Sequence, residues 1–445
     1  MMETGHPNTT KSKMPIDYSY FINALSSRRR PGITRELTKK LYNAPKETIS
    51  LAEGMPNDGS FPFEAINVVL KDGSSYTLQG GELAASLQYL PSQGYPPLLK
   101  TLKEFTKYVH EPPNWRNTDV IITNGSQCGI SKSIEMCIEE GCPILVQNPL
   151  YSGTEVVMKP FKPTLLPIDQ DDLGVIPAHL VATLEQWKEK CTADPTIKMP
   201  KMFYVNPTAA NPTGTTIPVD RKKEIYKICC DYNILILEDD AYYFMDFQDS
   251  KPVSFLSLDV EGRVLRFDSL SKVLASGLRM GWVTGPKQLI HNIELHIQSA
   301  YLHSSSLSQS ITNNIFRVWG FDKMLEHFAS VSNFYRIRRD LTISAMERHL
   351  KGLCDWSIPS GGMFVWIKVR NVPDVYEMLM TRGLKKHVCF APGQAFMTDP
   401  AAACNYVRAA YSRASPKQID KAMRLLAELI REEQQLLRRK LDNFI

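Results

Sequence analysis

At 445 residues the chain is long for one average domain and comfortable for two, and 43% hydrophobic with 22% charged residues is the make-up of an ordinary globular protein. A net charge of +5 is mild at this length, and Lys and Arg form no more than short clusters such as Arg28, Arg29 and Arg30 or Arg438, Arg439 and Lys440, so the charge gives no footprint for nucleic acid. No apolar run approaches the roughly 18 residues of a membrane span, and nine scattered cysteines without a Cys-x-x-Cys pair fit a reducing compartment and no zinc spacing.

In chain order, residues 1–17 are polar and mixed in charge and are expected to be a disordered extension. The stretch 21–30 carries hydroxyls and arginines but no acid. That suits a transit peptide and an ordinary first helix alike, although Glu3 and Asp17 lie upstream, and the compartment stays open between mitochondrial matrix and cytoplasm. After Pro31 and Gly32 a helix is expected over 34–42. A strand-like fragment follows at 49–52, ending in a turn through Glu53, Gly54, Met55, Pro56 and Asn57. Residues 87–97 form a loop carrying Tyr89, and 98–109 have helical spacing.

From Val120 short β-rich runs alternate with helices: 120–123, 144–146, 202–205, 234–237, 264–267 and 282–284. Asn124, Gly125, Ser126 and Gln127 turn the first run into a helix over 128–137. Four of the runs are apolar throughout, which suits strands covered on both faces and a mostly parallel α/β sheet. Beyond about residue 330 a helix over 334–350 leads into an alternating, antiparallel-type strand at 361–369. Ser415, Pro416 and Gln418 form a capping box that opens a last helix with Ile419, Ala422, Met423, Leu426 and Ile430 as its buried stripe. The expected architecture is α/β. An N-terminal segment (18–60) contributes to a small domain, a large domain spans 61–330, and a C-terminal small α+β domain spans 331–445.

Three polar clusters follow three of these strands. Asp268 ends the run 264–267 and opens a loop holding Ser269, Ser271 and Lys272, with Arg279 seven positions beyond the lysine. A buried lysine is useful when its amine sheds a proton, and a Schiff base with a carbonyl cofactor is the usual use of one. Hydroxyls and a guanidinium fork suit a phosphate. Asn206 to Gly214 follow 202–205, and Glu238, Asp239, Asp240, Ala241 and Tyr242 follow 234–237. Taken singly, the lysine reads equally as a solvated residue on a Ser-rich turn and the acids as helix caps. Together they gather at the carboxyl ends of strands, where open α/β sheets bind ligands.

Asn211-Pro-Thr-Gly214, Asp239-x-x-Tyr242 and Ser269-x-Ser-Lys272 with Arg279 resemble the signature of class I aminotransferases of fold type I, including the 33 residues from acid to lysine. Tyr151-Ser-Gly, His296 and Gln298, Leu302 and His303, and Tyr406-Val-Arg408 extend the resemblance from about Tyr18 to the last helix. Within the class the chain is most similar to the kynurenine/alpha-aminoadipate aminotransferases. The resemblance implies pyridoxal 5′-phosphate as cofactor, with Lys272 as the Schiff-base lysine and mover of the substrate Cα proton. It implies Asp239 on the pyridine nitrogen, Asn211 and Tyr242 on the ring's phenolic oxygen, and Tyr151 stacked on the ring. Ser126, Gln127, Ser269, Ser271 and Arg279 would cradle the phosphate, with Tyr89 reaching it from the other subunit of a homodimer. Arg408 would grip the substrate α-carboxylate, and Arg35 and Gly54 would lie at the substrate's side chain. The implied reaction is a ping-pong exchange between kynurenine, 2-aminoadipate or other large or aromatic amino acids and a 2-oxo acid such as 2-oxoglutarate. A broad-range aromatic aminotransferase, a cofactor-binding regulator and a lyase are the alternatives, and no DNA-binding domain is visible ahead of the fold. The chain departs from the family pattern at Glu53, Asn148, Ala241, Tyr301, Ser304, Ser305 and Ser306, all of which bear on substrate preference.

Overall fold

The computed structural model describes residues 15–42, 44–45, 47–52 and 54–442. Residues 1–14, most of the expected disordered extension, and Glu53 lie outside the described residues. A hairpin of β1 (Ala65–Val69) and β2 (Ser75–Gln79) precedes the main sheet. That sheet is built from β3 (Thr118–Asn124), β4 (Pro143–Asn148), β5 (Thr164–Asp171), β6 (Gly174–Val175), β7 (Met202–Val205), β8 (Leu235–Asp239), β9 (Val264–Ser269) and β10 (Met280–Pro286), in the order β3-β10-β9-β8-β7-β4-β5-β6. The run β5-β4-β7-β8-β9 is parallel, as the unbroken apolar patterning implies.

Both faces of that run are covered. Met202, Tyr204, Leu235, Leu237, Leu265 and Phe267 pack against Ile130 and Ile134 of helix Ser126–Cys137 and Ile290 and Ile293 of helix Lys287–Ala300. Their sequence neighbours Phe203, Val205, Ile236 and Val264 point the other way, onto Leu180, Leu184, Ile225 and Ile228 of helices Pro177–Ala193 and Val219–Asp231. Period-two geometry on a two-sided sheet removes the polar half of the alternation.

One strand runs against the rest. β10 is antiparallel to both β3 and β9, with Met280 opposite Asn124 and Gly281 opposite Ser269. Its first residue therefore lies at the edge where β3 and β9 end, and Arg279 is delivered to that edge.

A second, antiparallel sheet of β11 (Cys354–Trp356), β12 (Phe364–Val369), β13 (Ala391–Pro392) and β14 (Tyr406–Ala410) is ordered β11-β12-β14-β13. Its core joins Val365, Ile367 and Val407 to Met346 and to Ile419, Met423, Leu426 and Ile430 of helix Pro416–Asp442. The capping box forms: the Ser415 amide donates to Gln418 Oε1 at 2.8 Å and the Gln418 amide to Ser415 Oγ at 3.3 Å. The helix expected over 334–350 belongs to a longer run, Ser306–His349, interrupted at Gly320 (φ 67°, ψ −177°).

Two expectations for the N-terminal segment fail. Residues 21–30 form no continuous helix, only short 3₁₀ turns at Tyr18–Phe21 and Ser26–Arg28. Phe21 is fully buried in the large-sheet core, and Asn23 Nδ2 donates to the carbonyls of Glu135 and Ile138. The segment is thus anchored on the large sheet, away from the core formed around 345–430. The fragment 49–52 pairs with no strand: Ile49 and Leu51 are 89% and 98% exposed, because no described edge strand lies beside them.

Candidate active site

The carboxyl edge of β7, β8 and β9 opens into a cavity of about 150 Å³. Asp239, Tyr242, Asn211, Tyr151 and Lys272 line it, and so do Ser126, Gln127, Ser269, Ser271 and Arg279. Asn206, Ala241 and Ser276 complete the wall.

Asp239 ends β8 and is 5% exposed. The Tyr204 hydroxyl, one strand over on β7, donates to its Oδ2 at 2.6 Å, while Oδ1 is buried without a partner. Burial pushes its carboxyl up to about 6; the like charge of Asp240 adds to this, and the Tyr204 hydrogen bond and the Lys272 charge oppose it. An unpaired buried carboxylate oxygen is costly, and one facing a cavity fits the N–H of a protonated ring. Tyr204 is the functional residue that the linear pattern hid. The signal was a tyrosine in a strand buried on both faces, where its hydroxyl must find a partner.

Lys272 follows β9, its amine 6.0 Å from the centre of the Tyr242 ring. Burial, then the cations Arg279 and Arg408, hold its ammonium below the usual lysine range against the pull of Asp239. An amine so placed is readily deprotonated and nucleophilic. Burial raises the Tyr242 and Tyr151 hydroxyls, so both remain hydrogen-bond donors at neutral pH.

The phosphate-type cradle is assembled from three loops. Helix Ser126–Cys137 starts at the cavity, capped by Gly125 in the left-handed region (φ 76°), and its positive end favours an anion. Arg279, also left-handed (φ 53°), contacts Ser271 Oγ at 3.5 Å and donates to the Asn124 carbonyl at 3.4 Å. Of the neighbouring glycines, Gly125 is favoured by its positive φ and Gly281 is forced by backbone contact. A Cβ on Gly125 would meet Arg279 Nη2 at 2.4 Å, and one on Gly281 would meet the Ser126 amide nitrogen at 2.6 Å. The residues present therefore fit an aldehyde-bearing, phosphorylated pyridinium: an amine, a free carboxylate oxygen, ring-oxygen donors and an anion cradle.

Arg408 arrives from the small sheet. On β14, Val407 and Ala409 turn into that sheet's core and Arg408 turns to the opposite face. Its Nη1 donates to Asn211 Oδ1 at 2.9 Å, and the guanidinium lies 4.3 Å from the ring centre of Phe364 and 4.7 Å from that of Phe396. Burial lowers its ordinary pKa, and its Nε has no partner. Asn211 is held in turn by Asn206, whose Oδ1 accepts the Asn211 amide at 2.7 Å and whose Nδ2 donates to the Asp239 carbonyl.

Three of the expected site residues are not brought to this cavity by their own chain. Tyr89 is 45% exposed, its ring 6.0 Å edge-on from His303. Arg35 donates to the carbonyl of Leu90 and to Ser92 Oγ, beside Tyr89. Gly54 is exposed, with open space where a Cβ would sit. Of the departures, Ala241 lines the cavity, Asn148 donates to Asp169 Oδ1 at 3.3 Å, and Tyr301 pairs with Cys128 Sγ at 2.9 Å.

Residues 46–426 match the family model described as aminotransferase class I and II. The chain is 41% identical over 423 residues to the mitochondrial kynurenine/alpha-aminoadipate aminotransferase of Mus musculus, covering 94% of this chain and all of that one. Among solved structures it superimposes on aminotransferase Aro8 from Candida albicans with a TM-score of 0.83 at 26% identity, over 95% of this chain and 99% of that one. A kynurenine aminotransferase from Pyrococcus horikoshii, solved in complex with PMP, with KYN as substrate and KYA as product, matches with a TM-score of 0.74 at 28% identity, over 94% and 98%.

Proposed function

The chain belongs to the class I and II aminotransferase family, and from that membership we propose a pyridoxal-phosphate enzyme exchanging amino groups between kynurenine, 2-aminoadipate or other large or aromatic amino acids and a 2-oxo acid, by a ping-pong route. The observation that carries the proposal is the convergence on one small cavity of Lys272, the unpaired Asp239 Oδ1 and the cradle around Arg279, with Arg408 bonded to Asn211 beside them. Kynurenine and 2-aminoadipate are the donors in the name of the mouse relative, and kynurenine in that of the Pyrococcus one; 2-oxoglutarate is the expected acceptor.

The bound cofactor supplies a carbonyl carbon for an amine to condense with and a ring that takes up the electron pair left when the substrate Cα loses its proton. In this reading Lys272 would hold the cofactor between turnovers and, when free, would carry the substrate Cα proton on its Nζ. Asp239 Oδ1 accepts the ring N–H, and Asn211 and Tyr242 donate to the ring's phenolic oxygen. Ser126, Gln127, Ser269, Ser271 and Arg279 hold the phosphate, and Tyr151 covers one ring face. Arg408 forks onto the substrate α-carboxylate, its plane fixed by Phe364 and Phe396.

We further infer a homodimer with shared sites. Ile33, Ile49 and Leu51 are 81%, 89% and 98% exposed in the single chain, an apolar set suited to burial against a second copy. Because Arg35 is bonded to the Leu90 carbonyl next to Tyr89, a Tyr89 that serves the partner's phosphate places Arg35 close to the same site. The compartment proposed is the mitochondrion, as named for the mouse relative; finding the protein in the cytosolic fraction overturns it.

A donor panel at fixed 2-oxoglutarate (kynurenine, 2-aminoadipate, tryptophan, methionine, glutamate) tests the reading. Sustained oxo-acid formation, beyond the single equivalent per site that the donor half-reaction releases, is expected only with acceptor present, and borohydride treatment of the holoenzyme is expected to fix the cofactor on Lys272. Product formed without acceptor, with release of ammonia, would replace the proposal with lyase chemistry.

A further inference from the structure

Glu238, Asp239 and Asp240 are consecutive acids, and period-two geometry sends them to opposite sides of β8. Asp239 turns to the cavity; Glu238 and Asp240 turn away from it, to where Arg266 lies fully buried. Arg266 is the cross-strand partner of Glu238 on β9. Its Nη1 is 3.1 Å from Glu238 Oε1 and 2.8 Å from Asp240 Oδ2, and its Nη2 is 2.9 Å from Asp268 Oδ1 on its own strand. Its guanidinium carbon sits 4.7 Å from the Tyr243 ring centre. One arginine thus binds both sequence neighbours of Asp239 and a third acid on the adjacent strand.

Resting on the aminotransferase reading above, we propose that Arg266 is a positioning residue for the reaction. By tying Glu238 and Asp240 to Asp268, it holds Asp239 in register and screens it from two like charges at its back, so that Oδ1 meets the ring nitrogen as a carboxylate. A buried ion cluster is a poor route to stability, because desolvation offsets the Coulomb gain, so stability alone does not account for this one.

The charge balance shows why Arg266 matters. Among the described residues the other cation facing the cluster is Lys222, from helix Val219–Asp231, whose ammonium donates to the Val253 carbonyl at 2.7 Å and also faces Glu238, Asp240 and a further acid, Asp246. His110, its ring 4.7 Å from Tyr243, is held neutral by burial and by Arg266. Facing Asp239 itself are Tyr204, Tyr151, Tyr242, Lys272, Asp240 and Arg266. Loss of Arg266 leaves Asp268 without its cation and Glu238 and Asp240 sharing Lys222 with Asp246, and the uncompensated charge of Asp240 favours protonated Asp239. A protonated Asp239 can no longer accept the ring N–H as an anion.

The test compares the full-length chain with R266Q, D240N and the double variant R266Q/D240N. Two readouts are followed against pH: kcat/KM of the holoenzyme, and pyridoxal-phosphate affinity of the cofactor-free chain by absorbance titration. In R266Q the acid limb is expected to move up by about 1 pH unit, the shift typical of losing a nearby opposite charge, with about a tenfold loss of affinity at neutral pH. D240N moves the limb down, and the double variant returns it towards the parent. A limb that stays in place in R266Q while kcat falls evenly at every pH, or a double variant no better than R266Q, overturns the proposal. If R266Q does not fold, an unmoved limb in D240N overturns it alone. A parent without transaminase activity sinks the functional reading instead, and the affinity titration still decides for or against Arg266.

Discussion

Arg408 combines a planar fork, two flanking aromatic rings and a bond to Asn211, and each depends on guanidinium geometry. Arg408→Lys keeps the charge and loses the fork and the stacking. KM should rise roughly 10- to 100-fold for every amino acid donor, the value of a hydrogen bond to a charged group. A change confined to one donor would remove Arg408 from the α-carboxylate. Asp239 gives a prediction in pH. Its folded-state carboxyl is raised to about 6 from 3.8, so in the cofactor-free protein its stabilising share is present below 3.8 and is lost as pH rises through 6. Asp239→Asn carries no such titration. The stability of the cofactor-free variant relative to the parent should therefore grow between pH 4 and pH 7, by up to roughly 3 kcal/mol. Urea unfolding at each pH measures it, and a constant difference across that range would count against the raised carboxyl.

At the scale of elements, the antiparallel β10 is the device that completes the anion cradle, because it starts where β3 and β9 end. The join is tight: a Cβ on Gly281 lies 2.6 Å from the Ser126 nitrogen, 2.7 Å from the Gly125 carbonyl carbon and 2.8 Å from the Asp268 oxygen. Backbone cannot yield as a side-chain tip can. Gly281→Ala should therefore cost about 1–3 kcal/mol as overpacking and weaken pyridoxal-phosphate binding beyond what its unfolding midpoint explains. Unchanged cofactor affinity would show that the cradle tolerates the shift. The alternating strand expected over 361–369 and the capped last helix were readable in the chain because their signals are local, a period of two and a Ser-Pro-x-Gln start. The direction of β10 was not, since no local pattern distinguishes an antiparallel strand buried on both sides from its parallel neighbours.

For the whole molecule the shared-site dimer has a direct test. If Lys272 of one subunit works with Tyr89 of the other, mixing two crippled chains, Lys272→Ala and Tyr89→Ala, regenerates one intact site per heterodimer. Activity in the refolded mixture should exceed that of either variant alone; no recovery places Tyr89 outside the partner's site. The sequence by itself pointed to the chemistry, because a lysine, an acid, an asparagine and an arginine stand in short motifs whose combination resembles the family signature. It also determined the layered fold, whose apolar periodicities are properties of neighbouring residues. Only the tertiary structure decided that Tyr204 occupies one oxygen of Asp239 and leaves the other free, that Arg266 gathers three acids behind it, and that Phe21 anchors its segment in the large core. These are contacts across strands and helices distant in the chain, selected by which buried polar groups need partners, and no local pattern records them.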